Sequence, residues 1–411
     1  MHSHASSRRS GVAGPLAGVR VLDLTTSYAG PTASMYLADL GADVIKVERP
    51  DVGDDCRGWG PPFADGTSAW FASANRNKRS MVVNLRTAEG LELVHSLIGS
   101  ADVFMENMNP SKLVRLGLDP ETVRARCPRI VYCAMSGYGL DGPDHRLPGY
   151  DLAAQARSGL MSVTGAKGGS PQRVSTALSD IVTGMSAALA INAALVRQRT
   201  SGDGDLIDVS LLDTDLALMA PRIAAYLAGE PEPAPSGGTD SVLAVYQPFP
   251  TADRDIVIAI GNDLMWQRFC AAIKLEELAA DPALRDNAGR RAHRSHLTEV
   301  IGERLRERTA AEWLKVFAEA DVPASLVQTL SEVVADPQLK ARQSLLPVPE
   351  REGLYGVRSP FRLGSVPEIR NTCFPALGAH TREVLEEMGV PHQRITELAE
   401  AGAVVFGNEE N

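Results

Sequence analysis

This sequence of 411 residues lacks an excess of positive charge, paired cysteines and long apolar runs, and each absence argues against a class of protein. Acidic residues outnumber basic ones, 51 to 41, whereas a general nucleic-acid binder carries a basic field. The five cysteines are scattered without a C-x-x-C pair, which argues against a disulfide framework and a zinc site. No apolar run reaches the about 18 residues of a membrane span, and the polar start lacks a signal core. The sequence therefore predicts a cytoplasmic protein without nucleic-acid or membrane partners.

The common catalytic motifs are also missing. The chain has no G-x-S-x-G elbow, no H-E-x-x-H pair and no phosphate-binding P-loop. Only His293 and His296 have a spacing that suits a metal, and their arginine-rich stretch favours a solvated surface instead. We therefore predict no metal site.

What the sequence does contain is an alternation of short β-rich runs with helical stretches. The strand candidates are 19–24, 43–48, 79–85, 102–107 and 130–136, and the clearest helices between them are 31–42 and 87–101. This alternation predicts an α/β fold with a mostly parallel sheet and helices on its faces. A run rich in proline and glycine, 229–238, is the clearest linker, and a smaller, mainly helical domain is expected after it.

Three glycines follow the fifth strand candidate in the pattern of a dinucleotide-binding loop, G-x-G-x-x-G. They are Gly137, Gly139 and Gly142. Such a loop needs a helix directly behind it, whose N-terminus faces the pyrophosphate. Pro143 and Pro148 leave no room for that helix, so a structural loop is favoured over an NAD site.

One carboxylate stands out at the start of a long alanine-rich helix. Asp180 lies in the stretch STALSDIVTGM, and two interpretations are open. Ser179 or Asp180 can cap the helix by accepting hydrogen bonds from its first amides. Alternatively, a carboxylate kept ionised by the helix N-terminus can act as a covalent nucleophile.

A set of long, ordered motifs resembles the family III CoA-transferases, also called the CaiB/BaiF family. The motifs are LADLGADVIKVERP (37–50), NRNKRSMVVNL (75–85), ENMNPSKLVRLGL (106–118), SGYGLDGP (136–143), GYDLAAQARSG (149–159) and PALGAHTREVLEEMG (375–389). The resemblance implies a large Rossmann-like domain built from both ends of the chain, a smaller inserted α+β domain and an interlocked homodimer. We place the first part of the large domain at 15–225, the linker and small domain at 226–330, and the returning segment at 331–411.

The same resemblance assigns the chemistry. Asp180 matches the family nucleophile, which passes through an aspartyl anhydride and an aspartyl-CoA thioester, and Tyr150 and Asp151 match neighbouring active-site positions. The glycine loop is expected to shape the floor of this site. The racemase branch of the family carries histidine where Tyr150 stands, and tyrosine, with an ordinary pKa of about 10, is a poor base at neutral pH. This difference favours transfer over racemisation.

The resemblance also implies how coenzyme A is held, as a thioester substrate with no permanently bound cofactor. The expected CoA-binding residues are Tyr28, Ala29, Arg49, Arg86, Asn107, Met108 and Arg115. Lys78 and Arg79 either join them or form salt bridges within the fold. Oxalate-specific members carry glutamine where Tyr28 stands and a glycine-rich loop in the small domain, and this chain lacks both.

The function predicted is transfer of CoA from an acyl-CoA to a free carboxylic acid, with succinyl-CoA and a dicarboxylate pair favoured. A 2-methylacyl-CoA racemase of the same family and a non-catalytic CoA-binding protein are the alternatives. An NAD-dependent oxidoreductase is disfavoured because the prolines after the glycine loop leave no room for the helix that such a site needs.

Overall fold

The computed structural model describes residues 14–64, 66–349, 351, 354–366 and 371–407. Its strands are β1 (Arg20–Asp23), β2 (Asp43–Glu48), β3 (Phe63–Ala64), β4 (Thr67–Ser68), β5 (Arg79–Val83), β6 (Val103–Glu106), β7 (Val131–Ser136), β8 (Asp205–Ser210), β9 (Tyr246–Pro250), β10 (Asp255–Ala259), β11 (Ala324–Leu326), β12 (Leu345–Pro347), β13 (Tyr355–Val357) and β14 (Val404–Val405).

The α-helices connect these strands. They are α1 (Ala29–Asp39), α2 (Ala69–Ala74), α3 (Ala88–Ser100), α4 (Pro110–Leu116), α5 (Pro120–Arg126), α6 (Asp151–Arg157), α7 (Leu160–Val163), α8 (Leu178–Ser201), α9 (Leu211–Leu227), α10 (Asp263–Ala272), α11 (Glu276–Ala280), α12 (Asn287–Ala292), α13 (Arg294–Leu305), α14 (Ala310–Glu319), α15 (Leu330–Ala335), α16 (Pro337–Ala341), α17 (Thr381–Glu387) and α18 (His392–Glu400). Short 3₁₀ helices occupy Asp55–Gly58 and Pro282–Leu284.

Seven strands form one central sheet in the order β14-β5-β2-β1-β6-β7-β8. All neighbours pair in parallel except β14, which pairs antiparallel with β5 at the edge. The prediction of a mostly parallel sheet is therefore confirmed. Strands β2 and β5 lie on one side of β1, whereas β6, β7 and β8, which follow later in the chain, lie on its other side. The direction in which the chain adds strands therefore reverses between β1 and β6. In doubly wound sheets a ligand crevice opens at this reversal, beyond the carboxyl ends of the strands.

The strands separate two hydrophobic cores, because successive side chains point to opposite faces of a sheet. Leu22 and Ile45 face one core, which α3, α17 and α18 cover. Val21 and Val44 face the other core, which α1 and α8 cover. Helices on both faces were expected from the alternation of the sequence.

Several helices begin after a residue whose side chain accepts a hydrogen bond from a backbone N–H of the first turn. Thr87 accepts a hydrogen bond from Gly90 N (3.1 Å) at the start of α3, as its place before an apolar helix predicts. Asn109 and Asp119 cap α4 and α5 in the same way, each followed by a proline at the first helical position. Both short helices therefore begin where a capping side chain precedes a proline.

The longest helix, α8, corrects one expectation. It has 24 residues and is apolar enough, by length and composition alone, to cross a membrane, although no such run was expected. Core helices of soluble proteins meet the same criterion, and α8 contributes Ala187 and Ile191 to the core on the α1 side of the sheet. A Cβ atom built on Gly184 would lie 2.8 Å from the carbonyl oxygen of Ala29, so α1 and α8 touch at their backbones.

The chain divides into two compact units. Among the described residues, the first holds those up to Leu160, the segment Val174–Ala225 and those from Ala341 onward, and it contains the central sheet. The second holds Met161–Arg173 and Tyr226–Lys340. The first unit thus draws on both ends of the chain, while the boundaries expected at 226 and 331 stay predictions.

The second unit has its own core. An antiparallel sheet of β9, β10 and β11 packs with helices around buried aromatic side chains, among them Trp266 and Phe269 of α10 and Trp313 and Phe317 of α14. Trp313 and Phe317 stack at 5.6 Å between ring centroids.

Candidate active site

A pocket of about 450 Å³ lies in the first unit at the carboxyl ends of β1, β6 and β7, where the strand order reverses. Its wall includes Thr26 and Ser27 after β1, the Asn107–Pro110 turn after β6, and the loop between β7 and α6. Asp180 and Thr183 of α8 complete it. This position is the one that the sheet topology favours for a ligand.

The loop after β1 is held in place from two sides. The side chain of Asn107 accepts a hydrogen bond from Thr26 N (3.0 Å) and donates one to Thr26 O (2.9 Å), which joins the ends of β1 and β6. Ser27 has a φ of 72°, an unusual value for serine, and its N–H donates to Asp54 Oδ1 (2.9 Å). Lys46 in turn pairs with Asp54 (2.8 Å) within the protein interior. Hydrogen bonds and an ion pair within the protein therefore hold the wall at this end.

Lys78 and Arg79, which were expected either to bind CoA or to form salt bridges, make contacts within the fold. The Lys78 ammonium is buried and donates to Pro31 O and Asn75 Oδ1, both at 2.8 Å. Arg79 is also buried and pairs with Asp43 at 2.7 Å and Glu387 at 3.0 Å. Both form the internal contacts that were one of the two alternatives.

The glycine loop gives shape to the pocket. A Cβ on Gly137 would lie 2.6 Å from Gly149 Cα, so only glycines allow the two ends of the loop to cross in contact. Gly137, Gly139 and Gly149 line the pocket, and the next helix, α6, begins only at Asp151. Without a helix directly behind the glycines, the loop lacks the arrangement of a dinucleotide site. The crossing instead fixes the position of Tyr150 and Asp151.

Asp180 is the third residue of α8 rather than its cap, so the capping interpretation of Ser179 or Asp180 is wrong. The N-cap position is Ala177, which has no capping side chain. Asp151 supplies the cap from another helix, because its Oδ1 accepts the hydrogen bond of Ser179 N (2.9 Å). The Asp180 side chain is therefore not needed to close the helix.

Two further carboxylates surround Asp180. The Ser179 hydroxyl donates to Asp215 Oδ2 (2.8 Å), and Asp151 and Asp215 are both buried. Burial in the first place, and then the negative charges of Asp151 and Asp215, raise the pKa of Asp180 to about 7. No hydrogen bond to its carboxylate offsets these effects within the described part of the chain. Asp180 is thus a half-buried acid whose ionised form is poorly stabilised.

Tyr28 lies beside this acid rather than in the pocket wall. Its hydroxyl is 2.9 Å from Ser73 Oγ, and its ring meets Trp70 edge-on at 5.2 Å. Burial raises the pKa of the Tyr28 hydroxyl, and the charge of Asp180 contributes. The neighbouring Ala29, at the start of α1, does line the pocket.

Arg49, Arg86 and Arg115, which were expected to bind CoA, lie near Lys112, a residue that was not predicted from the sequence. Burial, and then the nearby charges of Arg115, Arg49 and Arg86, lower the pKa of Lys112. Clustered Lys and Arg side chains suit a phosphate group, and one of these four, Arg49, is also paired with Asp55. Other residues of the same helix, Leu113 and Val114, line the pocket, so this basic cluster adjoins it across α4.

Except for Tyr28, the predicted site residues fall into two neighbouring groups. Ala29, Asn107, Met108, Tyr150 and Asp180 line one pocket, with Asp151 directly behind Asp180. The second group is the basic cluster.

Sequence reasoning also missed Asp215, whose contact with Ser179 bridges 36 residues and leaves no local pattern. Lys112 could have been predicted from the sequence, because it lies three residues before Arg115 and therefore on the same side of a helix. In the part of the chain that the structure describes, no group of three or more His, Cys, Asp or Glu side chains is arranged to hold a metal ion.

Comparison with known proteins agrees with this geometry. The sequence model of CoA-transferase family III matches residues 16–381. The succinate–glutarate CoA-transferase of Agrobacterium fabrum is 38% identical over 382 residues, which cover 91% of this chain and 96% of that protein. The human succinyl-CoA:glutarate CoA-transferase is 37% identical, with 95% of this chain and 90% of that protein covered.

The fold has a solved counterpart. The crystal structure of a CaiB/BaiF family protein from Brucella suis has a TM-score of 0.79 and 36% identity, and covers 91% of this chain and 99% of that one. The resemblance inferred from the motifs is confirmed, and the chain is an enzyme of CoA-transferase family III.

Proposed function

We propose that this enzyme transfers CoA between two dicarboxylic acids and that Asp180 is its nucleophile. The observation that carries the proposal is the freedom of the Asp180 carboxylate. It lines the pocket, it accepts no hydrogen bond from the described residues, and the cap of its helix is supplied by Asp151. A carboxylate placed in this way is available for attack on a thioester.

The proposed reaction has four substitution steps, each at a carbonyl carbon. The Asp180 carboxylate attacks the thioester carbonyl of the donor, a C–O bond forms, and the C–S bond breaks to release CoA thiolate. The thiolate then attacks the Asp180 carbonyl of the mixed anhydride, which gives aspartyl-CoA and the free donor acid. The acceptor carboxylate attacks aspartyl-CoA, and the released thiolate attacks the acceptor carbonyl. Acceptor-CoA leaves, Asp180 is again a carboxylate, and no net proton is consumed.

The weak stabilisation of the Asp180 anion supports this role. A carboxylate held by several hydrogen bonds or by a cation is a poor nucleophile, because attack must first break those contacts. Asp180 has neither, and its conversion to a neutral anhydride or thioester removes a charge that Asp151 and Asp215 disfavour. Ala29, the first residue of α1, lines the same pocket, and its backbone N–H is the donor that we propose for the developing oxyanion.

The basic cluster defines the proposed position of the CoA phosphates. Lys112, Arg49, Arg86 and Arg115 together match the several negative charges of the 3′-phosphate and pyrophosphate. The pantetheine arm would then pass along the wall formed by Asn107 and Met108 to reach Asp180. No permanently bound cofactor is required on this path.

The dicarboxylate preference rests on similarity. Two relatives at 37–38% identity are named for succinate or succinyl-CoA and glutarate. We extend succinyl-CoA as donor and glutarate as first acceptor to this chain as the pair to be tested. Cytoplasmic location stays a prediction from the scattered cysteines, all of them free thiols.

An interlocked homodimer is part of the proposal. Along α8, Leu189 is 74% exposed and Val196 is 64% exposed, although other residues of that helix lie in the core. Large apolar side chains exposed on a helix that is otherwise packed are typical of a surface that a partner covers. A second copy of this chain is the partner that the family resemblance supplies.

Racemisation is the second candidate, and the pocket offers one histidine that could serve it. His145 lines the pocket, but its Nδ1 lies 2.8 Å from Gly142 O and its Nε2 lies 3.2 Å from Arg146 Nε. Both nitrogens are engaged, with Nδ1 as donor and Nε2 as acceptor. The exposed Tyr150 does not replace a base, so transfer is favoured.

The deciding experiment follows isotopes and thioesters together. The protein is incubated with succinyl-CoA and glutarate in deuterated buffer, and all CoA species are measured by mass spectrometry. We expect glutaryl-CoA without deuterium at its α-carbon, and no product with Asp180→Asn. The matched control is Asp213→Asn, an exposed carboxylate on α9, which should retain transfer. Deuterium uptake without a new thioester, or transfer by the Asp180 variant, would refute the proposal.

A further inference from the structure

The pocket around Asp180 has almost no positive charge of its own. Its acidic side chains are Glu106, Asp119 and Asp180, and among the described residues that line it Arg146 is the only arginine or lysine. The basic cluster around Lys112 adjoins the pocket, but none of its four side chains lines it. Within the described chain, a cation for an acid inside this pocket is therefore available from Arg146 alone.

The loop that carries Arg146 is tied to the helix behind it. Leu147 N donates to Asp144 O (2.9 Å), which closes a turn with Arg146 as its third residue. The Asp144 carboxylate also pairs with Arg157 of α6, whose guanidinium lies over the Tyr138 ring at 4.7 Å from the ring centroid. Arg157 is thus engaged inside the loop and does not line the pocket. Arg146 is left with a defined place on the wall, although its side chain is exposed.

The guanidinium of Arg146 keeps its outer N–H groups available. Its Nε donates to His145 Nε2 (3.2 Å), and His145 Nδ1 donates to Gly142 O (2.8 Å). Neither Nη atom of Arg146 has a hydrogen-bond or ion-pair partner in the part of the chain that the structure describes. Two Nη groups side by side form the fork that binds both oxygens of a carboxylate.

A dicarboxylate supplies the partner that this fork lacks. While one of its carboxyl groups is joined to Asp180 or to CoA, the distal carboxylate stays ionised at neutral pH. Such an anion, taken out of water into a pocket with acidic side chains, is unfavourable unless a cation pairs with it. We propose that Arg146 binds this distal carboxylate, in the donor and in the acceptor alike, and so makes the enzyme selective for dicarboxylic acids. The inference rests on the proposed function, because it names the group that recognises the acid carried by Asp180.

The test compares two acceptors of the same length. Glutarate is compared with glutaramate, its monoamide, in which a neutral amide replaces the distal carboxylate. Succinyl-CoA is kept at saturation for every variant, since its own distal carboxylate is expected to bind Arg146 as well. The new CoA thioesters are measured by mass spectrometry, and kcat/KM is determined for each acid.

In the wild type, kcat/KM for glutarate should exceed that for glutaramate by at least tenfold, because the amide loses a charged hydrogen-bonded pair. In Arg146→Gln this ratio should fall about tenfold, with kcat/KM for glutaramate within about threefold of wild type. Arg146→Lys keeps the charge without the fork, so its ratio should lie between the two. Arg157→Gln is the matched control, because it removes a positive charge from the same segment outside the pocket and should leave the ratio unchanged.

An unchanged ratio in Arg146→Gln, or an equal loss with both acids, would overturn the inference. A wild type that does not distinguish glutarate from glutaramate would overturn it even if the variants failed to fold. If the wild type transfers CoA to neither acid, the proposed function itself is refuted, and the role of Arg146 falls with it.

Discussion

The protonation of Asp180 predicts how the rate of this enzyme depends on pH. A nucleophilic carboxylate must be ionised, and the pKa of Asp180 is raised to about 7 by burial and by its two acidic neighbours. In the free enzyme this value governs kcat/KM. We therefore expect kcat/KM for succinyl-CoA to rise from pH 5.5 to a midpoint near pH 7, well above the pH at which an ordinary aspartate ionises.

The size of the effect follows from the titration. About one-tenth of Asp180 is ionised at pH 6, so kcat/KM should be about tenfold below its upper limit there. After burial, the negative charges of Asp151 and Asp215 contribute to the raised pKa of Asp180. An isosteric change at a neighbour therefore tests the cause of the shift.

Asp215→Asn removes one of the two neighbouring charges and keeps an acceptor for the Ser179 hydroxyl. The midpoint should move down by about half a pH unit, which is roughly 0.7 kcal/mol of charge repulsion. Asp213→Asn, two residues away and exposed, should leave the midpoint unchanged. Initial rates are measured with saturating glutarate and limiting succinyl-CoA, so that titration of the free acid does not enter. The reasoning fails if no midpoint appears between pH 6 and 8, or if both variants move it equally.

Three further predictions concern stability and binding. Because the pKa of Asp180 is raised, its contribution to the free energy of unfolding is present at low pH and is lost as the pH rises through about 7. Asp180→Asn should therefore unfold at a higher temperature than wild type at pH 8 and at a similar temperature at pH 4. The stabilisation of the variant at pH 8 has an upper bound of about 4 kcal/mol. Lys112→Ala should raise the KM for succinyl-CoA about fivefold with kcat within twofold, and the difference should shrink in 0.5 M salt; equal KM values would remove Lys112 from the phosphate site. Gly184→Ala should lose about 1–3 kcal/mol because its Cβ would lie 2.8 Å from Ala29 O, whereas Gly99→Ala, with open space around it, should be neutral or stabilising in thermal unfolding.

The sheet and the order of its elements were predictable because they depend on local patterns. The β7 stretch and the two short helices α4 and α5 follow directly from a run of apolar residues and from proline after a capping side chain. In each case the residues that decide the structure are neighbours in the sequence.

The site was only partly predictable because its decisive contacts join distant segments. The pairing of Asp151 with Ser179 spans 28 residues, and it decides that Asp180 is free rather than a cap. From the sequence alone both interpretations were equally supported, since an acid near a helix start serves either one. Family resemblance identified the residue, but the reason for its freedom lies in tertiary packing.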